Sequence, residues 1–325
     1  MGADLRALGM AVGHASDDIG ATGVTVVRGV EGPFRAGCAL LGRATGTREL
    51  DALSPRHLVD RVDAIVLTGG SAFGLDSAGG VMRWMEERER GFPVGVGVVP
   101  IVPAAVVFDL SPCGSPTARP TALMAYEACD QARPNGIGEG SIGAGTGTTV
   151  GKAAGVARAM KGGVGLSLES SGELHVAALA VVNALGDVRD GSGRIIAGAR
   201  GDSGDFVDLS RSLAAGSLPA ESRFATQALH NTTLAVVMTN AAMSREELAQ
   251  LAAASSVALG RRITPVGTSY DGDVVFATSP LKGLAATALQ VEVLAVAALE
   301  GAIERAVRTA RGRDGIPGLA DEATA

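Results

Sequence analysis

Apolar and polar positions along this chain repeat in short blocks that switch between strand-like and helix-like spacing. ATGVTVVRG (21–29) and RAGCALLG (35–42) are rich in small and β-branched residues and are separated by a Gly-Pro turn, which predicts a hairpin. DAIVLTGG (63–70) is a short apolar run ending in glycines and predicts a strand, with a helix over Leu75 to Arg88 behind it. VVPIVPAAVVFDL (98–110) supplies one or two further strands, and Thr117 to Gln131 suits a second helix. The densest glycine segment, GIGEGSIGAGTGTTVG (136–151), follows. ELHVAALAVVNALG (173–186) then predicts a buried strand that ends near Asn183, and NTTLAVVMTN (231–240) predicts another. Residues 198–230 are polar and predict a mobile connection. Ser244 and Glu247 form a capping-box pattern for a helix reaching about Leu259. YDGDVVFAT (270–278) predicts a turn and a strand, a small-residue helix is expected from Leu284 to Arg308, and 311–325 a flexible tail. Strands followed by paired helices, twice over, predict an α/β protein of two packed sheets with helices outside, built as a single domain over 1–310.

Composition narrows the class. Of 325 residues 46% are apolar, enough for a substantial core, while 46 glycines and only 3% aromatics favour close approach of backbones. The net charge of −6 is spread along the chain with no basic block, so neither nucleic acid nor an acidic membrane surface is expected as a partner. The uncharged stretch from Gly91 to Phe108 approaches a membrane span in length, but Pro93, Pro100 and Pro103 break it into strands and turns. Gln290 and Glu292 argue against a span in the last helix. No charged leader followed by an apolar core is seen at the amino terminus, and Cys38, Cys113 and Cys129 match no zinc or redox spacing. A cytoplasmic protein with reduced thiols is the expectation.

The chemistry centres on Asn231-Thr232-Thr233. A threonine hydroxyl needs a base. If Thr232 became the first residue of a cleaved chain, its own α-amine, with a pKa of roughly 7.7–8.0, would supply one. The same tripeptide matches a glycosylation sequon and is also ordinary strand-opening sequence. Asp271-Gly272-Asp273 sets two carboxylates at a turn entering a strand, fit to orient an ammonium or hold a proton; a plain Asp-Gly turn has the same sequence. The four histidines are scattered and no ligand cluster accompanies these carboxylates, so neither a metal nor a cofactor is expected. Gly138 to Gly143 fits a dinucleotide fingerprint literally, and Gly151-Lys152 ends a near phosphate loop. Thr146 stands where that loop needs its first glycine, and Ala153 where it needs Ser or Thr. A non-catalytic phosphate- or nucleotide-binding protein is therefore the competing class, with a purely structural oligomer as a third. Lys152, one of three lysines, is set where glycines bring it close to a substrate.

Five segments in order resemble the DmpA-like peptidases, which include L-aminopeptidase/D-esterases, β-peptidyl aminopeptidases and nylon-oligomer hydrolases. They are LTGGSAFGLDSAGGV (67–81), GEGSIGAGTGTTVGK (138–152), LAVVNALGDV (179–188), NTTLAVVMTNAAMS (231–244) and YDGDVVFAT (270–278), within a similarity running from about Ala21 to Arg308. The resemblance implies an αββα sandwich of the Ntn-hydrolase type. It also implies scission between Asn231 and Thr232 into chains 1–231 and 232–325 that stay together, and a closed homo-oligomer, a tetramer or octamer of processed pairs. By the same resemblance Thr232 is the nucleophile, Asn183 gives a side-chain amide to an oxyanion hole, and Lys152, Asp271 and Asp273 set the state of the Thr232 amine. Glu139, Phe108 and Gly145 fall on the substrate side, Glu139 matching a glutamate beside a substrate amine. Phe108 stands where nylon-hydrolase relatives carry tyrosine, and Asn231-Thr232 departs from the glycine-serine junction of many aminopeptidase relatives. The implied substrates are short peptides, other amides or 6-aminohexanoate oligomers, with an aminopeptidase restricted to free-amine substrates as the alternative.

Overall fold

In the computed structural model, which describes residues 2–217 and 231–324, two five-stranded sheets pack face to face with helices on both outer faces. The ten strands of these sheets are β1 (Met10–Asp17), β2 (Thr22–Gly29), β3 (Arg35–Leu40), β4 (Thr47–Arg48), β5 (Ala64–Thr68), β6 (Ala104–Val106), β7 (Gly163–Ser171), β8 (Leu174–Asn183), β9 (Thr232–Thr239) and β10 (Val274–Ser279). The first sheet runs β1-β2-β5-β6-β4 and the second β7-β8-β9-β10-β3. The helices are α1 (Ala78–Glu86), α2 (Ala122–Asp130), α3 (Leu209–Ala214), α4 (Arg245–Ser255), α5 (Val257–Arg262) and α6 (Ala288–Arg308). This is the α/β sandwich expected from the sequence.

Strand alternation assigns the faces. In β8, Ala177, Leu179 and Val181 enter the core between the sheets, while Val176, Ala178, Ala180 and Val182 pack under α4 and α6. In β9, Leu234, Val236 and Met238 face the first sheet, and Ala235 and Val237 face the helices. Both faces are covered, which is why these strands read as continuous apolar runs. On the far side, Val24, Val26, Ala64 and Val66 pack against α1 and α2 through Val81, Trp84, Met85 and Ala128.

Several expectations are met closely. The Ser244 hydroxyl accepts from Glu247 N at 3.2 Å while the Glu247 carboxylate accepts from Ser244 N at 2.8 Å, so the capping box opens α4. That helix stops at Ser255, and the predicted continuation is the separate α5. The long helix begins at Ala288, where Thr287 accepts from Gln290 N. None of the described helices is long and apolar enough to cross a membrane.

Two expectations change, and one competing reading loses its support. The segments 21–29 and 35–42 form no hairpin: β2 joins the first sheet and β3 pairs with β10 at the edge of the second. The Gly-Pro connection carries the chain between layers, and local periodicity does not name a strand's partner. The glycine segment, on which the competing phosphate-binding reading rests, runs through short 3-10 turns with Gly143, Ala144 and Gly145 buried and opens no helix, so it lacks the helix N-terminus that both fingerprints call for. The end of the chain is docked along 312–321: Ile316 is buried, Pro317 O accepts from Lys161 N at 2.9 Å, and Asp321 accepts from Gly312 N at 2.9 Å. The predicted mobile connection holds α3, and its residues 218–230 lie outside the described residues.

Close packing of α6 on β7 depends on Gly165, where a Cβ would collide with the Ala302 carbonyl and the Ala306 amide. Gly165→Val should therefore destabilise the fold by roughly 1–3 kcal/mol or more. A thermal unfolding scan checks it, and an unchanged Tm would show that the helix can retreat freely.

Candidate active site

The ends of β8 and β9 set the site. Asn183 and Thr232 are register partners in the antiparallel ladder, and by alternation both side chains face the gap between the sheets. Thr232 is 6% exposed and Asn183 1%. Gly151, at φ +74°, brings the chain so close to Ala199 that a Cβ would collide with its amide. The next residue, Lys152, thereby reaches inward: its Nζ donates to Asn183 Oδ1 at 2.8 Å and to Asn183 O at 3.0 Å. Thr149 N also donates to Asn183 Oδ1, at 3.1 Å, and Asn183 Nδ2 donates to Phe108 O at 2.9 Å. The side-chain amide of Asn183 is thus oriented through its oxygen, with its nitrogen facing across the gap toward the first sheet.

Burial pushes the Lys152 ammonium down to about 7, the negative charge of Asp271 working against the shift and the positive charge of Lys161 adding to it. A substantial neutral fraction near pH 7 follows.

The Asn231 carbonyl is bound from two directions. Thr232 Oγ1 donates to it at 2.6 Å and Gly272 N at 2.9 Å. Gly272 sits in a parallel bridge between Asn231 and Asp271, and a Cβ there would lie 2.7 Å from Thr232 Oγ1 and 2.6 Å from Ala44 O. Only glycine brings its amide to that carbonyl without displacing the hydroxyl.

The two carboxylates divide. Asp271 Oδ2 accepts from Thr268 N at 2.7 Å; burial raises its pKa, opposed by the Thr268 bonds and by Lys152. Asp273 Oδ1 accepts from Thr233 N at 2.6 Å, and its carboxyl is pushed up to about 7 by burial and then by repulsion from Asp271. Asp273 shares the parity of Val275, so it faces the helices, opposite to Thr232. Successive N–H groups in a strand point to opposite edges. Thr233 N–H points to β10, so the Thr232 nitrogen points to β8, on the side of Asn183 and Lys152.

The substrate-side expectations come out differently. Glu139 is ion-paired with Arg305 of α6 and accepts from Leu166 N at 2.8 Å, so its carboxylate is committed to the outer edge of β7 and does not join the Thr232 cluster. Gly145 is buried, with room for a Cβ refused by Val164 N at 2.6 Å, and serves packing. Phe108 enters through its backbone carbonyl, a role that the absence of a tyrosine hydroxyl leaves untouched.

Sequence reasoning missed Gly272 as a donor and two buried supports. Asp109 accepts from Thr22 Oγ1 at 2.7 Å and Gly70 N at 2.6 Å, and burial pushes it up to about 6. Lys161 binds the carbonyls of Thr146 and Thr148 at 2.9 and 2.7 Å. A lysine and an aspartate inside the apolar runs ARAMKGGVG and VVFDL were the available signals. No group of three or more His, Cys, Asp or Glu that could hold a metal occurs among the described residues.

A Thr232 hydroxyl bound to the carbonyl that precedes it, and its register partner Asn183 held by a buried lysine, lie at one end of an αββα sandwich, an arrangement that fits the class of hydrolases of peptide and other amide bonds. The chain belongs to peptidase family S58, whose pattern matches residues 7–317. It is 41% identical over 268 residues to an uncharacterized aminopeptidase of Mycobacterium tuberculosis, covering 79% of this chain and 73% of that protein. It is 31% identical over 275 residues to a 6-aminohexanoate-oligomer endohydrolase of Kocuria, covering 83% and 73%. Among solved structures, a Burkholderia β-aminopeptidase superposes with a TM-score of 0.70 at 18% identity, covering 98% of this chain and 92% of that one. The L-aminopeptidase D-Ala-esterase/amidase of Ochrobactrum anthropi, described as a variant of the Ntn hydrolase fold, superposes with a TM-score of 0.69 at 18% identity, covering 95% and 86%.

The depressed Lys152 pKa has a consequence for stability. Between about 7 and 10.5 the unfolded chain binds the Lys152 proton and the folded chain does not, so folding gains from Lys152 as pH rises through that window. Lys152→Met removes this dependence. Its stability relative to wild type should be highest below pH 7 and should decline toward pH 10 in denaturant titrations; a difference that is flat with pH would refute the shift.

Proposed function

We propose that the protein is an amide hydrolase that cuts itself between Asn231 and Thr232 and then uses Thr232 as an amino-terminal nucleophile. The observation that carries this reading is the Asn231 carbonyl held between Gly272 N–H and the Thr232 hydroxyl. In the first event Thr232 Oγ bonds to the Asn231 carbonyl carbon, and Gly272 N–H stabilises the charge on its oxygen. The C–N bond breaks, the hydroxyl proton passes to the departing nitrogen, and water hydrolyses the resulting ester. Asn231 ends as a carboxylate and Thr232 regains its hydroxyl beside a new α-amine.

That amine, directed toward β8, takes the hydroxyl proton in each later turnover and returns it to the leaving amine. Lys152 beside it disfavours the charged form and keeps the base available near neutral pH. Asn183 donates from its side-chain amide to the substrate oxyanion. Asp271 offsets the charge of Lys152, and Asp273 fixes the strand through Thr233 N. Because β9 lies between β8 and β10, a cut at its first residue leaves the 232–325 chain clamped in the sheet. The substrates proposed are short peptides or amide oligomers, the two chemistries named by the relatives. The pairing of Glu139 with Arg305 favours amides over a strict requirement for an ammonium held by Glu139.

Mass spectrometry of purified protein should give two chains meeting at Asn231 and Thr232, and Thr232→Ala should stay whole and inactive. Active wild-type protein found intact ends the proposal. Gly272→Ala keeps the N–H but crowds Thr232 Oγ1, so scission followed on denaturing gels should slow by about tenfold or more. Scission at the wild-type rate would remove Gly272 from the mechanism.

A further inference from the structure

Behind the sheet end, on the face opposite to Thr232, lies a cleft of about 470 Å³, within the size usual for small-molecule sites. Its walls include Leu41, Val257, Leu259 and Val266, and Asp273 contributes to its lining. Leu41 is 36% and Val257 50% exposed, so an apolar rim is open to the outside. Asp273 is 2% exposed and turned to this face, and its Oδ2 is buried with no hydrogen-bond partner among the described residues. Thr233 Oγ1, on the same face of the neighbouring strand, is also buried without one. Among the described residues the charged groups near this carboxyl are few. Asp271 repels it, and Arg261 at the cleft is bound to Glu300 at 3.0 Å. An apolar trough holding a carboxyl group with no cation paired to it among the described residues is complementary to an aliphatic chain that carries one.

We infer that this cleft binds a primary alkylammonium, with methylenes along Leu41, Val257 and Val266 and the ammonium on Asp273 Oδ2. Asp273 is one residue from Gly272, whose amide binds the Asn231 carbonyl, and its Oδ1 holds Thr233 N, so an occupant bears directly on the Thr232 corner. Use of the cleft for the amine-bearing end of a linear amide substrate rests on the Thr232 reading; binding of the alkylammonium does not.

The test is calorimetry with 1-hexylamine on processed wild type and on uncut Thr232→Ala. Both should bind it, with affinity rising about fourfold per methylene from propylamine to hexylamine, and with hexanoate and 1-hexanol much weaker. Gly260 of α5 has nothing within 4 Å of a Cβ position, so Gly260→Leu fills the cleft from a helical site without backbone strain. This variant should cut itself normally on a gel yet bind hexylamine at least tenfold more weakly. Its KM for a 6-aminohexanoyl amide should rise by the same factor, with kcat and the hydrolysis of a short acyl amide unchanged. Equal binding of hexanoate, no binding by either protein, or no effect of Gly260→Leu overturns the cleft, whatever the gel shows. Binding by the uncut variant alone would give Asp273 to the new amino terminus and equally overturn it.

Discussion

The Lys152 ammonium, sunk between the ends of two strands and bound to both oxygens of Asn183, ties together parts of the chain that are far apart in sequence. An isolated buried cation is expensive, and here its burial is offset by two acceptors and by Asp271 across the corner. Removing either acceptor or counter-charge leaves the rest uncompensated. The same bonds orient the Asn183 amide, so the electrostatic and the geometric requirements of the site are met by one contact.

Around that contact the second sheet supplies two faces at one end. The face between the sheets carries Thr232 and Asn183, while the helix-side face carries Thr233 and Asp273. Strand alternation keeps neighbouring residues apart by the thickness of the sheet, which allows polar groups of different function to sit one residue from each other. Gly272 joins the faces, because its amide can meet the Asn231 carbonyl only where a side chain is absent.

The glycines that dominate the composition serve approach of backbone to backbone. Gly145 against β7, Gly151 against Ala199 and Gly165 against α6 each occupy space that a Cβ would need. Lys161 and Asp109 then fix the loops that these glycines admit, through carbonyls in one case and an amide and a hydroxyl in the other.

The sequence by itself determined the layered α/β class, the two apolar strands ending at Asn183 and opening at Thr232, the capping box of α4 and the candidate group of Thr232, Asn183, Lys152, Asp271 and Asp273. The class, the strands and the cap follow from local chemistry, periodicity and capping patterns; Thr232, Lys152, Asp271 and Asp273 stand out by residue type and setting, while Asn183 and the joining of all five into one group came from the resemblance to the DmpA-like peptidases. Only the tertiary structure decided that β3 crosses to the second sheet, that Glu139 is taken by Arg305, that Asp273 faces away from Thr232, and that Phe108 and Gly272 act through their backbones. Sheet partners and side-chain faces depend on contacts between distant segments, and a backbone amide or carbonyl is present at almost every residue, so nothing in the letters distinguishes the ones that are used.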